Sequence, residues 1–302
     1  MGYFLAFVAV FFWSWNIIVA NRFAYLLSPY EIAFGRWLIA SVILLVIYYR
    51  PLRQSWRELM EHKTLVLFMA LTGIVFDNTL IYFAGKSVSA FNIGLLGIIG
   101  PIFLVALSAL FLKTRVTGQQ LLGMIVTIAG VLVIISRGKL ANFAALKFGN
   151  GDFIVIINTI CFAIYSLLQS LRPCQISQAA MLTASSVVGT VVLFGMLLTF
   201  EPLSELQNMT AVDLGVIAYL GVFNSVIAYL AWNASLAKIG NLKAGIVYYF
   251  LPIFSGLEGY LLLHQPIYGA EVWGGIIVIA GVLIVNFSRQ SASSYPPTKT
   301  NS

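Results

Sequence analysis

Arg36, Asp77 and Glu258 each stand well inside a long run of apolar residues. An ionised side chain at such depth costs about 2.5–3.5 kcal/mol to insert into a bilayer, so each calls for a partner or a wet cavity. Asp77 and Glu258 are candidates to bind an ammonium group or to take up a proton, and the competing reading is a structural ion pair with Arg36. Counted along their stretches, all three fall in the same half of the membrane, so depth allows either arrangement. For Arg36 itself a structural role is expected.

Around these charges runs a set of polar aromatic and amide residues. Asn78 and Tyr82 share a helix face with Asp77 beside it, and Ser225, Tyr229 and Trp232 form a stripe at helical spacing. Trp13 and Asn16, Asn158 and Tyr165, and Tyr248 and Tyr249 add further pairs. Rings with polar tips suit a cavity that holds amphipathic molecules, and their faces attract cations. Any one of them serves equally well as an interface anchor or a packing residue. The binding candidates are therefore Trp13, Asn16, Asp77, Asn78, Tyr82, Asn158, Tyr165, Tyr229, Trp232, Tyr248, Tyr249 and Glu258.

Other chemistries find little support. The histidines, His62 and His264, make no HExxH pair and no metal-ligand cluster, and Gly149-Asn150-Gly151 is followed by no GxxxxGK[ST] phosphate loop. Cys161 and Cys174 suggest neither a disulfide framework nor a metal. No enzyme activity, catalytic residue, metal or cofactor is expected.

The elements that must hold these residues follow from composition. The chain of 302 residues is 60% hydrophobic and 9% charged, far below the roughly 25% charge of ordinary soluble domains, so its solvent is largely lipid. Apolar stretches near 3–20, 31–49, 64–84, 90–112, 118–136, 153–171, 179–200, 214–236, 244–263 and 269–287 are each long enough to cross a hydrocarbon core of about 30 Å. The tightest expected turns are Lys86-Ser87-Val88-Ser89 and Lys238-Ile239-Gly240-Asn241. The formal charge of +7 is scattered over short connections instead of gathered into a nucleic-acid face. With the N-terminus inside, Lys and Arg concentrate on the inner connections, most clearly in the second half, which predicts both termini cytoplasmic.

Residues 94–132 align without a gap on 245–283. Gly94, Pro101-Ile102-Phe103, Leu110, Leu112, Gly118, Gly123, Ile125, Ile128 and Ala129-Gly130-Val131-Leu132 recur as Gly245, Pro252-Ile253-Phe254, Leu261, Leu263, Gly269, Gly274, Ile276, Ile279 and Ala280-Gly281-Val282-Leu283. The duplication is an internal repeat. An odd number of helices per copy orients the second copy oppositely, so the expected fold is all-α and membrane-integral: ten transmembrane helices in two inverted five-helix repeats. The first repeat spans 1–137, a loop 138–150, the second repeat 151–289 and a disordered cytoplasmic tail 290–302. Gly118, Gly123, Gly269 and Gly274 read as helix-packing positions. Pro101 and Pro252 fall near the middle of the fourth and ninth helices, where each is expected to kink the chain passively or act as a hinge.

Two five-helix halves, each carrying Pro-Ile-Phe, a spaced Gly-x4-Gly and Ala-Gly-Val-Leu, resemble the EamA-type branch of the drug/metabolite transporter superfamily over about 2–289. The resemblance implies export across a bacterial inner membrane through a central cavity lined mainly by helices 1, 3, 4, 6, 8 and 9. Members commonly carry an acidic residue near the ends of helices four and nine; here those positions are Thr114 and Gln265, so any role of that carboxylate does not carry over. The expected function is secondary transport of small metabolites, amino acids among them, by alternating access. Alternatives are export of drug-like cations or nucleosides or, from another class, a non-transporting scaffold or a lipid-modifying enzyme. The expected partners are a small-molecule substrate, the lipid bilayer and protons, with no nucleic acid, in a monomer or a homodimer.

Overall fold

The computed structural model describes residues 1–23, 26–97, 99–112, 117–135, 149–201, 209–248 and 250–287. Among them every regular element is a helix. In chain order these are α1 (Gly2–Phe23), α2 (Pro29–Gln54), the short α3 (Trp56–Glu61), α4 (Lys63–Gly85), α5 (Ala90–Gly97), α6 (Gly100–Leu112), α7 (Gly118–Ile135), α8 (Asn150–Ser170), α9 (Gln178–Phe200), α10 (211–248), α11 (Leu251–Leu263) and α12 (Gly269–Phe287). Six helices are long and apolar enough to cross a membrane: α1, α2, α4, α8, α9 and the Ala211–Ile239 part of α10. Shorter apolar stretches lie in α7, α11 and α12. Leu26, Val46, Val191, Leu110 and Trp273 are among the large apolar side chains on the outer surface, as expected where lipid replaces water.

Helix starts are written locally. Ser28 accepts a hydrogen bond from the Glu31 amide while the Glu31 carboxylate accepts one from the Ser28 amide, and Pro29 opens the helix at a position that needs no N–H donor. Thr210 and Asp213 repeat the same box at the start of α10. Gln265 binds two elements at once: its Oε1 accepts from the Ala90 amide at 3.0 Å and its Nε2 donates to Asn21 Oδ1 at 2.8 Å. This amide ties the start of α5 to the end of α1.

Of the two tight turns expected, one is absent. Lys86–Ser89 turns the chain, but Lys238–Asn241 does not interrupt the helix, which continues to Tyr248 before breaking ahead of Leu251. Pro101 and Pro252 therefore sit in the first turns of α6 and α11, not in the middle of continuous helices. A proline is well tolerated there because the first-turn amides have no intrahelical acceptor, whereas mid-helix it removes a hydrogen bond and clashes. Of the expected loop 138–150, residues 138–148 lie outside the described residues, as do the tail 290–302, Thr114 and Tyr249, while Asn150 already opens α8.

Packing recurs under a shift of about 150 residues. Helix α1 lies against α10 and α11, and α8 against α4, α5 and α6; α2 packs on α9 and α10, and α9 on α2 and α4; α5 meets α11 and α7 meets α12. Both α4 and α10 carry a π-helical segment, Leu71–Phe76 and Leu220–Ile227, at matching places. The α7–α12 contact is backbone to backbone. A Cβ on Gly130 would stand 2.7 Å from the Val278 amide nitrogen and 2.8 Å from the Gly274 carbonyl oxygen; one on Gly281 would stand 2.5 Å from the Thr127 nitrogen and 2.7 Å from the Gly123 oxygen. Gly118 and Gly269 meet nothing within 4 Å, so close approach depends on Gly130 and Gly281. Gly281→Val is expected to destabilise the protein by about 1–3 kcal/mol through overpacking, whereas Gly118→Ala should leave stability unchanged or slightly raised; thermal unfolding in detergent checks the pair.

Candidate functional site

The π-helical segment of α4 prepares the site. In it the Asp77 amide donates to the Thr72 carbonyl, five residues back, so the Gly73 carbonyl stays open to side chains. Tyr229 OH donates to Gly73 O at 2.8 Å, and Asn78 Nδ2 does so at 2.9 Å. Asn158, from α8, donates through Nδ2 to the Asp77 backbone carbonyl and approaches Asp77 Oδ1 at 3.2 Å. Asp77 Oδ2 has Tyr229 OH and Asn78 Nδ2 at 3.4 Å each. The carboxylate thus sits among amide and phenol donors from α4, α8 and α10.

Arg36, from α2, is fully buried. Its Nε donates to Ser225 Oγ at 2.8 Å, and its Nη1 donates to Asn16 Oδ1 at 3.0 Å and Tyr82 OH at 2.7 Å. Tyr82 OH in turn donates to Asn16 Oδ1 at 2.7 Å. Nη2 is buried and has no hydrogen-bond partner among the described residues. A guanidinium offers five N–H donors, so its two Nη2 hydrogens remain. Every partner it does have is neutral, and among the described residues no carboxylate comes within ion-pair distance of it. The structural Arg36–Asp77 pair expected as one alternative is not formed as a direct contact.

These groups border one narrow cleft. Its polar wall carries Arg36, Asp77, Asn16, Asn78 and Asn158; its aromatic wall carries Trp13, Phe162, Tyr229 and Tyr248, with Ile17, Ile81, Ile93, Gly97 and Leu251 between them. The Trp13 ring is the hub, with centroids of Phe162 and Tyr229 at 5.6 Å, Trp232 at 5.3 Å and Tyr248 at 6.1 Å. Such edge-on ring clusters give a rigid apolar surface at little entropic cost.

Of the residues singled out from the sequence, Trp13, Asn16, Asp77, Asn78, Asn158, Tyr229 and Tyr248 border this cleft. Tyr82 supports Arg36 from behind, and Tyr165 and Trp232 buttress the aromatic wall without facing the space. Glu258 lies elsewhere, against Ser14. Arg36 and Phe162 were not among the binding candidates. Phe162 had a signal, since it follows Asn158 by four residues on the same helix face; Arg36 had its depth, which reads as structural.

The EamA-like transporter family matches residues 1–136 and 149–287. The chain belongs to that family. Within the drug/metabolite transporter superfamily, this EamA-like chain is therefore a multi-pass membrane transporter of small molecules. It is 30% identical to an uncharacterized transporter of Archaeoglobus fulgidus, over 92% of this chain and 96% of that one. It is 26% identical to a probable terminal-alkyne amino-acid exporter of Streptantibioticus cattleyicolor, over 77% of each chain. A solved crystal structure superposes with a TM-score of 0.67 at 16% identity, covering 97% of this chain and 98% of that one, which shows a shared fold.

Tyr82 is the clearest local test of the EamA-like site, because its hydroxyl both accepts from Arg36 and donates to Asn16. Tyr82→Phe leaves a buried guanidinium with one donor fewer satisfied, and is expected to lower stability by about 1–3 kcal/mol. Chemical or thermal unfolding in detergent measures it.

Proposed function

We propose that this chain exports small zwitterionic, amphipathic metabolites, amino acids in the first place, by alternating access. The observation that carries the reading is a guanidinium with unpartnered donors and a separate carboxylate bordering one cleft without pairing to each other. An α-amino acid presents the complementary charges: a carboxylate for Arg36 Nη2 and an ammonium for Asp77. The aromatic wall around Trp13 receives the side chain. In a low-dielectric site the two opposite charges of the ligand offset the cost of burying those of the protein. The related amino-acid exporter is in keeping with this reading.

In this proposal the chain crosses the inner membrane ten times, in two inverted five-helix repeats with both termini cytoplasmic. The recurring contacts, the paired π-helical segments and the matched breaks ahead of Pro101 and Pro252 support it. The breaks serve as hinges, so the half-helices α5 with α6, and the end of α10 with α11, tilt as the cleft opens to either face.

Counterflow in proteoliposomes tests substrate class. Vesicles loaded with unlabelled amino acids take up labelled phenylalanine, and three competitors are compared. Free phenylalanine should inhibit at least about 10-fold more strongly than phenylalaninamide, which lacks the carboxylate, or N-acetylphenylalanine, which lacks the ammonium group; this is the expected scale for losing one charge-assisted hydrogen bond. Arg36→Gln should abolish the advantage over the amide. Equal inhibition by the amide in the wild type would contradict the zwitterion reading and favour organic cations.

A further inference from the structure

Glu258 stands on α11 outside the cleft, in contact with α1. Its Oε1 lies 2.9 Å from Ser14 Oγ, and Ser14 Oγ lies 2.7 Å from the Phe11 carbonyl, three residues back. Ser14 is fully buried. Glu258 Oε2 is buried and has no hydrogen-bond partner among the described residues. A hydroxyl has a single proton to donate, so Ser14 cannot donate to both of its neighbours at once. With Glu258 ionised, Ser14 must turn its proton to Oε1 and release Phe11. With Glu258 protonated, the carboxyl proton is donated to Ser14 Oγ while Ser14 keeps its bond to Phe11, and every hydrogen is used. The second arrangement also relieves the unpartnered Oε2 of a negative charge, which is costly to bury.

Among the described residues, the elements packed against α11 place no cation beside Glu258. The α5 segment packed against α11 contains no titratable residue, α1 carries only Arg22, two turns beyond Ser14, and Tyr3 near its other end, and Tyr219 of α10 is the titratable group within electrostatic reach. On α11 itself the titratable residue is Tyr260, with His264 following its end. The carboxyl also occupies a mechanical joint. Rings of Phe7 and Phe11 on α1 rest on Phe250 and Phe254 at 5.0 and 5.9 Å, just after the helix break. A Cβ on Gly94 of α5 would lie 2.9 Å from Pro252 Cα on the other side.

We propose that Glu258 and Ser14 form a proton-binding site, distinct from the substrate cleft, that couples transport to a proton gradient. The proposal rests on the transporter reading. In the closed arrangement of this proposal Glu258 holds the proton and Ser14 bonds to Phe11. When the α1–α11 joint opens to water, the proton leaves Glu258 for solvent, the Ser14 hydroxyl rotates from Phe11 O to Oε1, and water reaches Oε2. One proton moves per cycle, and no other group changes charge.

Proteoliposomes with a pH-sensitive dye trapped inside, loaded with unlabelled amino acids and given the labelled mixture, test this. Wild type should show counterflow, accumulation driven by an imposed pH gradient, and a dye signal that depends on added amino acid. Glu258→Gln should retain counterflow, which serves as the control for folding, and lose both the gradient-driven accumulation and the dye signal; Glu258→Asp, which keeps a carboxyl group, should recover part of both. Gradient-driven accumulation at the wild-type level in Glu258→Gln overturns the proposal, as does loss of counterflow in that variant when its thermal unfolding is unchanged. Wild-type counterflow without any proton movement also overturns it while leaving the transporter reading intact. Absence of wild-type counterflow is instead the failure of that reading.

Discussion

A guanidinium shut away from water and held by neutral oxygens is the constraint around which this protein is arranged. Arg36 ties four helices together: it projects from α2 and donates to Asn16 on α1, Tyr82 on α4 and Ser225 on α10. Those helices cannot separate freely without exposing a charge to lipid or leaving more of its donors idle, a cost larger than most single packing contacts. The same constraint leaves Nη2 without a protein acceptor among the described residues, in a cleft shared with a carboxylate whose nearest side-chain donors are the Asn158 and Asn78 amides. The proposed zwitterionic ligand follows from this separation of charges, whereas a closed internal ion pair would have little left to offer.

The scaffold makes this arrangement attainable through small residues and local helix irregularities. In lipid there is no hydrophobic gain from bringing two apolar helices together, so contact must come from close approach. The glycine faces of α7 and α12 provide it by bringing backbones to distances no side chain permits. In α4, the π-helical segment places an open carbonyl at depth, where an unsatisfied peptide group is tolerated only against protein or a polar cavity. The Gly73 carbonyl meets that condition by accepting from Asn78 and Tyr229. Backbone irregularity, not an extra polar side chain, supplies part of the site's polarity.

Much of this was legible in the sequence. Apolar length marked the helices, the repeat tied Gly123 and Gly130 to Gly274 and Gly281, and the family motifs pointed to the transporter class. The depth of Asp77 and the helical spacing of Asn78, Tyr229 and Asn158 identified residues that meet in one cleft. Other features were not legible, for physical reasons. Helical spacing put Tyr82 on one face with Asn78, but it could not report that Arg36 reaches in from α2 and takes the Tyr82 hydroxyl as its support. Helix continuity through Lys238–Asn241 depends on tertiary packing, which overrides weak local turn preference. Depth alone placed Glu258 with Asp77, but depth does not report azimuth, and the side chain turns toward Ser14.

Two-sided access to the cleft is the central claim. Its most direct measurement uses a single cysteine at Ile17, a cleft-bordering position without a polar role, in a chain with Cys161 and Cys174 replaced by alanine. A membrane-impermeant thiol reagent is applied to one face of the membrane at a time, in separate samples. Alternating access predicts labelling from either face, slowed from both by a saturating amino-acid mixture. Labelling from one face only, unaffected by amino acids, would make the cleft a dead-end pocket and contradict the account.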